Sequence, residues 1–168
     1  MKLRKKDYSL IVRNFTFGVE DSLVSTVGLL AGIATAGVEQ SSIVVTGLVL
    51  IFVEAISMAV GSLLSEQSVE EYQAKTQTSL AQPAFAALVM FLSYVFAGLI
   101  PLAPYLYSVG HQSVIASISL TLISLFLLGA INAKLFKANA WRDGLFTLIL
   151  GGAAILVGMV VGQIASHI

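Results

Sequence analysis

The sequence predicts an all-α integral membrane protein of five transmembrane helices, and three observations predict it. Hydrophobic residues make up 57% of the 168-residue chain and charged residues only 11%, against about 25% charged in soluble domains; the mean hydropathy is +0.93. Five apolar runs are each long enough to cross the ~30 Å hydrocarbon layer as a helix of ~20 residues. A count of five also gathers all nine Lys and Arg residues on one face, whereas four or six spans would scatter them over both.

The chain opens on a basic segment, residues 1–14, holding Lys2, Arg4, Lys5, Lys6 and Arg13. Arg13 cuts short the apolar piece Leu10–Val12, so the segment is no cleavable signal. Tyr8, Ile11, Val12 and Phe15 at helical spacing predict a short amphipathic helix on the anionic cytoplasmic leaflet. An unstructured basic tail is the alternative.

Residues 15–168 form the membrane domain. Span 1, about 15–37, carries the adjacent acids Glu20 and Asp21. Span 2, about 43–64, has Glu54 at its middle. Residues 65–82 are polar and acidic, and are expected to continue span 2 as a helix out of the membrane with Glu66 and Glu70 on one face. No Asp, Glu, Lys or Arg falls between Lys75 and Lys134. The Pro101–Pro104 pair and Tyr107-Ser108-Val109-Gly110-His111 divide that stretch into span 3, about 83–106, and span 4, about 114–132. Lys134, Lys137, Trp141 and Arg142 in the next linker make an interfacial anchor set, and span 5 is about 144–164.

The charge bias then orients the chain. The positive-inside rule places the amino terminus in the cytoplasm and the carboxyl terminus outside a cell (inner) membrane; the outer face carries only Glu39, His111 and His167. Gly144, Gly151, Gly158 and Gly162 form a small stripe on span 5, and Ser113, Ser117, Thr121 and Ser124 a mildly polar one on span 4. Both read as helix-packing surfaces. No inverted repeat is visible.

Composition also excludes classes of function. Zero formal net charge gives no hint of a nucleic-acid partner, and the absence of cysteine removes disulfides and thiolate sites. There is no hydrolytic triad, phosphate loop or metal-protease helix, so an enzyme is not expected.

What remains is acid inside the membrane. A carboxylate at mid-span costs several kcal/mol against lipid and normally faces a partner or a wet cavity. Ser57, Met58 and Gly61 share a helix face with Glu54, at i+3, i+4 and i+7. Asp21 lies roughly 9 Å in from the cytoplasmic end of span 1 at 1.5 Å per residue, and Met58 at a similar depth in span 2, with Glu54 one turn deeper. Carboxylates with a thioether suit a borderline divalent ion, Fe²⁺ or Mn²⁺, better than Mg²⁺ or Ca²⁺. A buried carboxylate can hold either a proton or a metal ion, which is the physical basis of exchange. One chain supplies too few ligands; a two-fold homodimer doubles Asp21, Glu54 and Met58 around a shared axis. The ion is cargo, and no fixed cofactor is expected. The structural alternative for Glu54 is a protonated helix–helix hydrogen bond, and for Met58 core filling. Glu66, Glu70 and Glu71 are either a cytoplasmic metal entry or a solvated helix face.

Three stretches carry a family likeness: Val12-Arg13-Asn14-Phe15-Thr16-Phe17-Gly18-Val19-Glu20-Asp21-Ser22-Leu23-Val24, Ala55-Ile56-Ser57-Met58-Ala59-Val60-Gly61, and Gly98-Leu99-Ile100-Pro101-Leu102-Ala103-Pro104-Tyr105. With Leu127-Leu128-Gly129-Ala130 and Arg142–Gly144 they resemble the vacuolar iron transporter family, in the family's order and over nearly the whole chain. The resemblance implies a five-helix protomer and a homodimer whose pore is lined by helices 1 and 2. It also implies export of Fe²⁺ or Mn²⁺ from the cytoplasm against protons, with Asp21 as the pore aspartate and Met58 as the pore methionine. Glu54 matches a position acidic in many bacterial relatives. There are departures: Asn14 and Leu50 stand where better-known members carry acids, and the glutamate-rich cytoplasmic insert between helices 2 and 3 is absent. The expected function is therefore proton-coupled export of a divalent transition metal. The alternatives are a non-transporting membrane scaffold or partner subunit of the same fold, and a proton-coupled exporter of organic cations using Glu54.

Overall fold

A computed structural model describes residues 5–107 and 110–166. Five helices follow one another: α1 (Lys5–Thr35), α2 (Gln40–Ala74), α3 (Ala81–Tyr107), α4 (His111–Leu135) and α5 (Ala140–Ala165). Each is long and apolar enough to cross a membrane. The turns are short because glycine or a cap stops each helix. Gly37 and Gly110 take positive φ, +80° and +72°, a conformation glycine adopts without strain. The Asn139 side chain accepts from the Trp141 and Arg142 backbone N–H groups at 3.1 and 3.2 Å to start α5.

Two helices are longer than the bilayer requires. At 1.5 Å per residue, 31 residues make α1 about 46 Å long and 35 make α2 about 52 Å. α2 runs unbroken through the acidic 65–74 stretch. Residues 5–14 likewise belong to α1, with no break before Phe15. Arg13 and Asn14 are held by α2, as described below, and that tertiary contact carries the helix through. Residues 1–4, Ser108, Val109 and His167 lie outside the described residues; His111, the first residue of α4, is exposed as expected.

α1 is the central helix, packed on α3 and α5 and touching α2 and α4. Its fit against α5 is backbone to backbone. A Cβ at Gly32 would stand 2.7 Å from the Gly158 carbonyl oxygen, and one at Gly162 would collide with the Gly32 backbone. The glycine stripe on span 5 is thus a packing surface, with Gly144 serving α4 in the same way against Phe126. Ser113, Ser117 and Thr121 all face inward, and Ser117 Oγ donates to the Pro101 carbonyl at 2.7 Å. Pro101 and Pro104 lie inside α3. Gln40 Nε2 donates to the Tyr105 carbonyl at 2.5 Å, occupying one of the acceptors in α3's last turn. The outer surface of α5 is purely apolar at Leu156, Val157, Val160 and Val161.

Gly32→Ala is expected to cost about 1–3 kcal/mol through forced backbone separation. Gly152→Ala, whose Cβ would meet nothing nearer than 4.0 Å, should be neutral or stabilising by up to about 1 kcal/mol. Thermal unfolding of both in detergent checks the contrast; equal shifts would mean α1 and α5 are not in backbone contact.

Candidate functional site

The α1–α2 seam is built from its polar end inward. Arg13 on α1 forms an ion pair with Glu66 on α2. One residue on, Asn14 is 2% exposed; its Nδ2 donates to the Leu10 carbonyl at 3.0 Å and its Oδ1 accepts from Ser62 Oγ. These two cross-links fix an antiparallel register that puts Asp21 level with the 54–58 turn of α2. Asp21 and Glu54 are both half-buried, and their carboxyl groups lie within electrostatic reach of one another and of the Tyr94 hydroxyl. Tyr94, from α3, is 0% exposed and pinned at two points. Its hydroxyl shares a hydrogen bond of 2.8 Å with Ser25 Oγ, and its carbonyl accepts from Ser22 Oγ at 2.6 Å. Ser22 finds room because Gly98 has no Cβ, which would stand 2.7 Å from Ser22 Oγ.

Towards the basic end the seam opens into a cavity of about 1010 Å³. Met58, Ser62 and Glu66 line it from α2, and Asn14, Phe17 and Glu20 from α1, with Met90 and Asn132 behind. Met58 therefore faces open space, while Asp21 and Glu54 lie off the cavity's wall. The depth layering expected for Asp21, Met58 and Glu54 fits this register.

Glu20, next to Asp21 on α1, lines the cavity beside Met58. Glu66, read as either solvated or an open metal ligand, is buried at 9% exposure with its carboxylate on Arg13. Burial explains the pairing, since a carboxylate in a half-dry seam needs a counter-ion. Glu71 accepts from Gln67 Nε2 at 3.1 Å and Glu70 is half-buried on the same helix. Among the described residues no three His, Cys, Asp or Glu side chains converge as a metal cluster.

The seam thus brings together two half-buried carboxylates at depth and, at the cavity, a thioether and a third carboxylate. Sequence reasoning missed Tyr94, Ser25 and Arg13. A tyrosine inside a charge-free span was the available signal for Tyr94, because a buried phenol needs a partner.

The chain matches the model described as the VIT family over residues 12–79 and 69–163. It belongs to that family. It is 24% identical to "Vacuolar iron transporter 1" of Tulipa gesneriana, over 86% of this chain and 83% of that one. It is 28% identical to "Vacuolar iron transporter homolog 3" of Arabidopsis thaliana, over 87% and 78%. A third relative, "Vacuolar iron transporter 1" of Arabidopsis thaliana, is 22% identical over 94% and 87%. The tulip alignment runs to 204 positions, more than this chain's 168 residues, so that relative carries extra residues within the matched region; the homolog 3 alignment takes 160. The two pieces of the VIT-family match meet at residues 69–79, the α2–α3 junction. There only Lys75–Leu80 separate the helices of this VIT-family chain.

In this VIT-family protein the Arg13–Glu66 pair is a cross-link whose Arg side chain is 64% exposed and whose Glu side chain is 12% exposed. A double-mutant cycle of Arg13→Gln and Glu66→Gln should give a coupling of about 1 kcal/mol, between surface and buried pairs. Arg13→Gln alone should be the most destabilising corner, because it strands Glu66. Denaturant unfolding of the four proteins measures it; additive effects would mean the pair does not join α1 to α2.

Proposed function

We propose that the protein is a transporter of a divalent transition metal, Fe²⁺ or Mn²⁺, exporting it from the cytoplasm in exchange for protons, as a homodimer with α1 and α2 lining a pore on the two-fold axis. The observation that carries this reading is the mid-membrane pair Asp21–Glu54, half-buried and within reach of each other beside a methionine-lined cavity. Two carboxylates so placed repel when both are charged, and either a proton or a divalent cation relieves that repulsion. Competition between the two for the same oxygens couples their movements. The VIT-family relatives, by their names, support iron as the cargo class.

The dimer is supported by what α2 leaves open. Ser57, Gly61 and Ser65 recur every four residues and are exposed, and a Cβ on Gly61 would meet nothing within 4 Å. A small, polar face is a poor one to show lipid and a good one for a close second helix; the outer face of α5 has neither feature. The pair of carboxylates in one chain is also an incomplete ligand set, which a second copy would double. By this reading the basic end lies in the cytoplasm of the cell membrane, with the 1010 Å³ cavity as the entrance. Glu20, Glu66, Glu70 and Glu71 are the carboxylates nearest that mouth. Met58 supplies a softer ligand that discriminates against Mg²⁺.

Metal flux into proteoliposomes under an imposed pH gradient tests the proposal. Fe²⁺ or Mn²⁺ should move and Mg²⁺ should not, and Asp21→Ala or Glu54→Ala should stop the flux. Met58→Leu should keep transport but lose about tenfold in preference for Mn²⁺ over Mg²⁺, the worth of one ~1.4 kcal/mol contact. Normal flux in both alanine variants would remove the site. If no metal moves, the protein is a scaffold of the fold; if a lipophilic cation moves instead, the cargo is organic.

A further inference from the structure

A second set of polar groups lies inside each protomer, away from the α1–α2 seam. Among the described residues the Thr26 and Thr121 hydroxyls are buried within the bundle, both at 0% residue exposure, with no hydrogen-bond partner in the protein. Native proteins rarely leave such groups orphaned; the usual partner is an internal water.

Their positions fall in a line. Thr16 donates to Asn132 at 3.3 Å, and Leu23 packs with Leu125 in one buried cluster. Both contacts give the same antiparallel register, which sets Thr26 opposite residue 122 and therefore beside Thr121. Ser117, one turn along the same face of α4, is 0% exposed and gives its proton to the Pro101 carbonyl. Tyr105 is 1% exposed, and its hydroxyl stands within hydrogen-bonding reach of Ser117 and continues the line. Tyr105 and Ser113 then border a pocket of about 330 Å³ at the end opposite the basic residues. In the other direction Ser22, one turn from Thr26, bonds the Tyr94 carbonyl, and the Tyr94 hydroxyl with Ser25 stands by Asp21 and Glu54. Hydroxyls one helical turn apart are about 5.4 Å apart along the axis. That is too far for a direct bond and matches two hydrogen bonds of about 2.8 Å through one water.

We propose that each protomer holds a file of waters along Tyr105, Ser117, Thr121, Thr26 and Ser22, and that protons reach Asp21 and Glu54 through it while the metal ion uses the α1–α2 seam. Each water accepts a proton on one side and releases one on the other, so the carboxylate gains a proton as the outer pocket loses one. No other bond is made or broken. The file offers neutral hydroxyls, carbonyls and water and no counter-charge for a divalent ion, whereas a proton crosses it by relay without any ion having to enter. The inference rests on the exchange reading above and adds a separate route to it.

Two measurements on the full chain in liposomes test it. Radiolytic hydroxyl-radical footprinting reads water beside buried side chains: Tyr105 should label in the wild type despite its burial, and at least fivefold more slowly in the isosteric double variant Thr26→Val/Thr121→Val. Metal-driven proton flux, followed with an entrapped pH dye, should fall tenfold or more in that variant. Mn²⁺ binding at equilibrium should be unchanged, whereas Asp21→Asn should lose both. An unlabelled Tyr105 in the wild type, or wild-type proton flux in a folded double variant, would overturn the separate route while leaving metal–proton exchange intact. Metal flux with no accompanying proton movement in the wild type would instead take down the exchange reading and this inference with it.

Discussion

Inside a hydrocarbon layer a polar side chain without a partner is the most expensive thing a fold can contain, and the arrangement of this protein follows from how it deals with them. Most are satisfied by backbone carbonyls. Ser93 uses Met90 within α3, whereas Ser22 uses Tyr94 and Ser117 uses Pro101 on a neighbouring helix. Such bonds tie helices together where apolar packing alone would be degenerate, because lipid is as apolar as leucine. The glycine contacts between α1 and α5 complete the scaffold by removing side chains altogether. Against that background the groups that stand out among the described residues are Asp21 with Glu54, the small face of α2, and the orphan Thr26 and Thr121 hydroxyls. A membrane fold that pairs nearly everything else gains nothing structural from leaving these open.

The polar end of the seam adds a second constraint. Asn14 is held through both ends of its amide, by Leu10 and by Ser62. A carboxylate there could not donate to Leu10, so the amide holds α1 to itself as well as to α2. Glu66, the carboxylate next to it in space, is neutralised by Arg13. The mouth of the seam is thus built as a strut, and the charge available to a cation is displaced inward to Glu20, Asp21 and Glu54. This division lets the outer turns stay rigid while the inner carboxylates remain free to change partner.

Much of the fold was legible because a membrane imposes length and charge rules that act on sequence directly. Five apolar runs and a one-sided set of nine basic residues need no tertiary knowledge, and the depth of Asp21, Glu54 and Met58 follows from counting along helices. The direction in which side chains point was less legible. Glu20 and Asp21 are neighbours 100° apart on one helix, and only the crossing of α1 over α2 decides which meets the cavity. The continuity of α1 through residues 5–14 was hidden for a similar reason: local polarity favoured a surface segment, and a contact with Glu66, far along the chain, overrode it. Tyr94 looked like one more apolar residue of a charge-free span until Ser25 came within 2.8 Å.

The short turn between α2 and α3 bears on how such a chain can load an ion. With only residues 75–80 joining the helices, no ligand domain stands between α2 and α3, so on the transporter reading proposed above capture at this junction falls to the helices themselves. α2 answers this by its length: beyond Glu66, which is paired with Arg13, its last turns carry Glu70 and Glu71 past the span expected for the membrane. An anionic helix end raises the local concentration of divalent cations at the cavity mouth by attraction at a distance, without needing fixed ligand geometry. On the same reading, selection would fall to Met58 and the two deep carboxylates, where the dielectric is low and ligand identity counts. Dividing attraction from selection in this way asks little of the mouth and much of the seam, which is where the polar residues of α1 and α2 are concentrated.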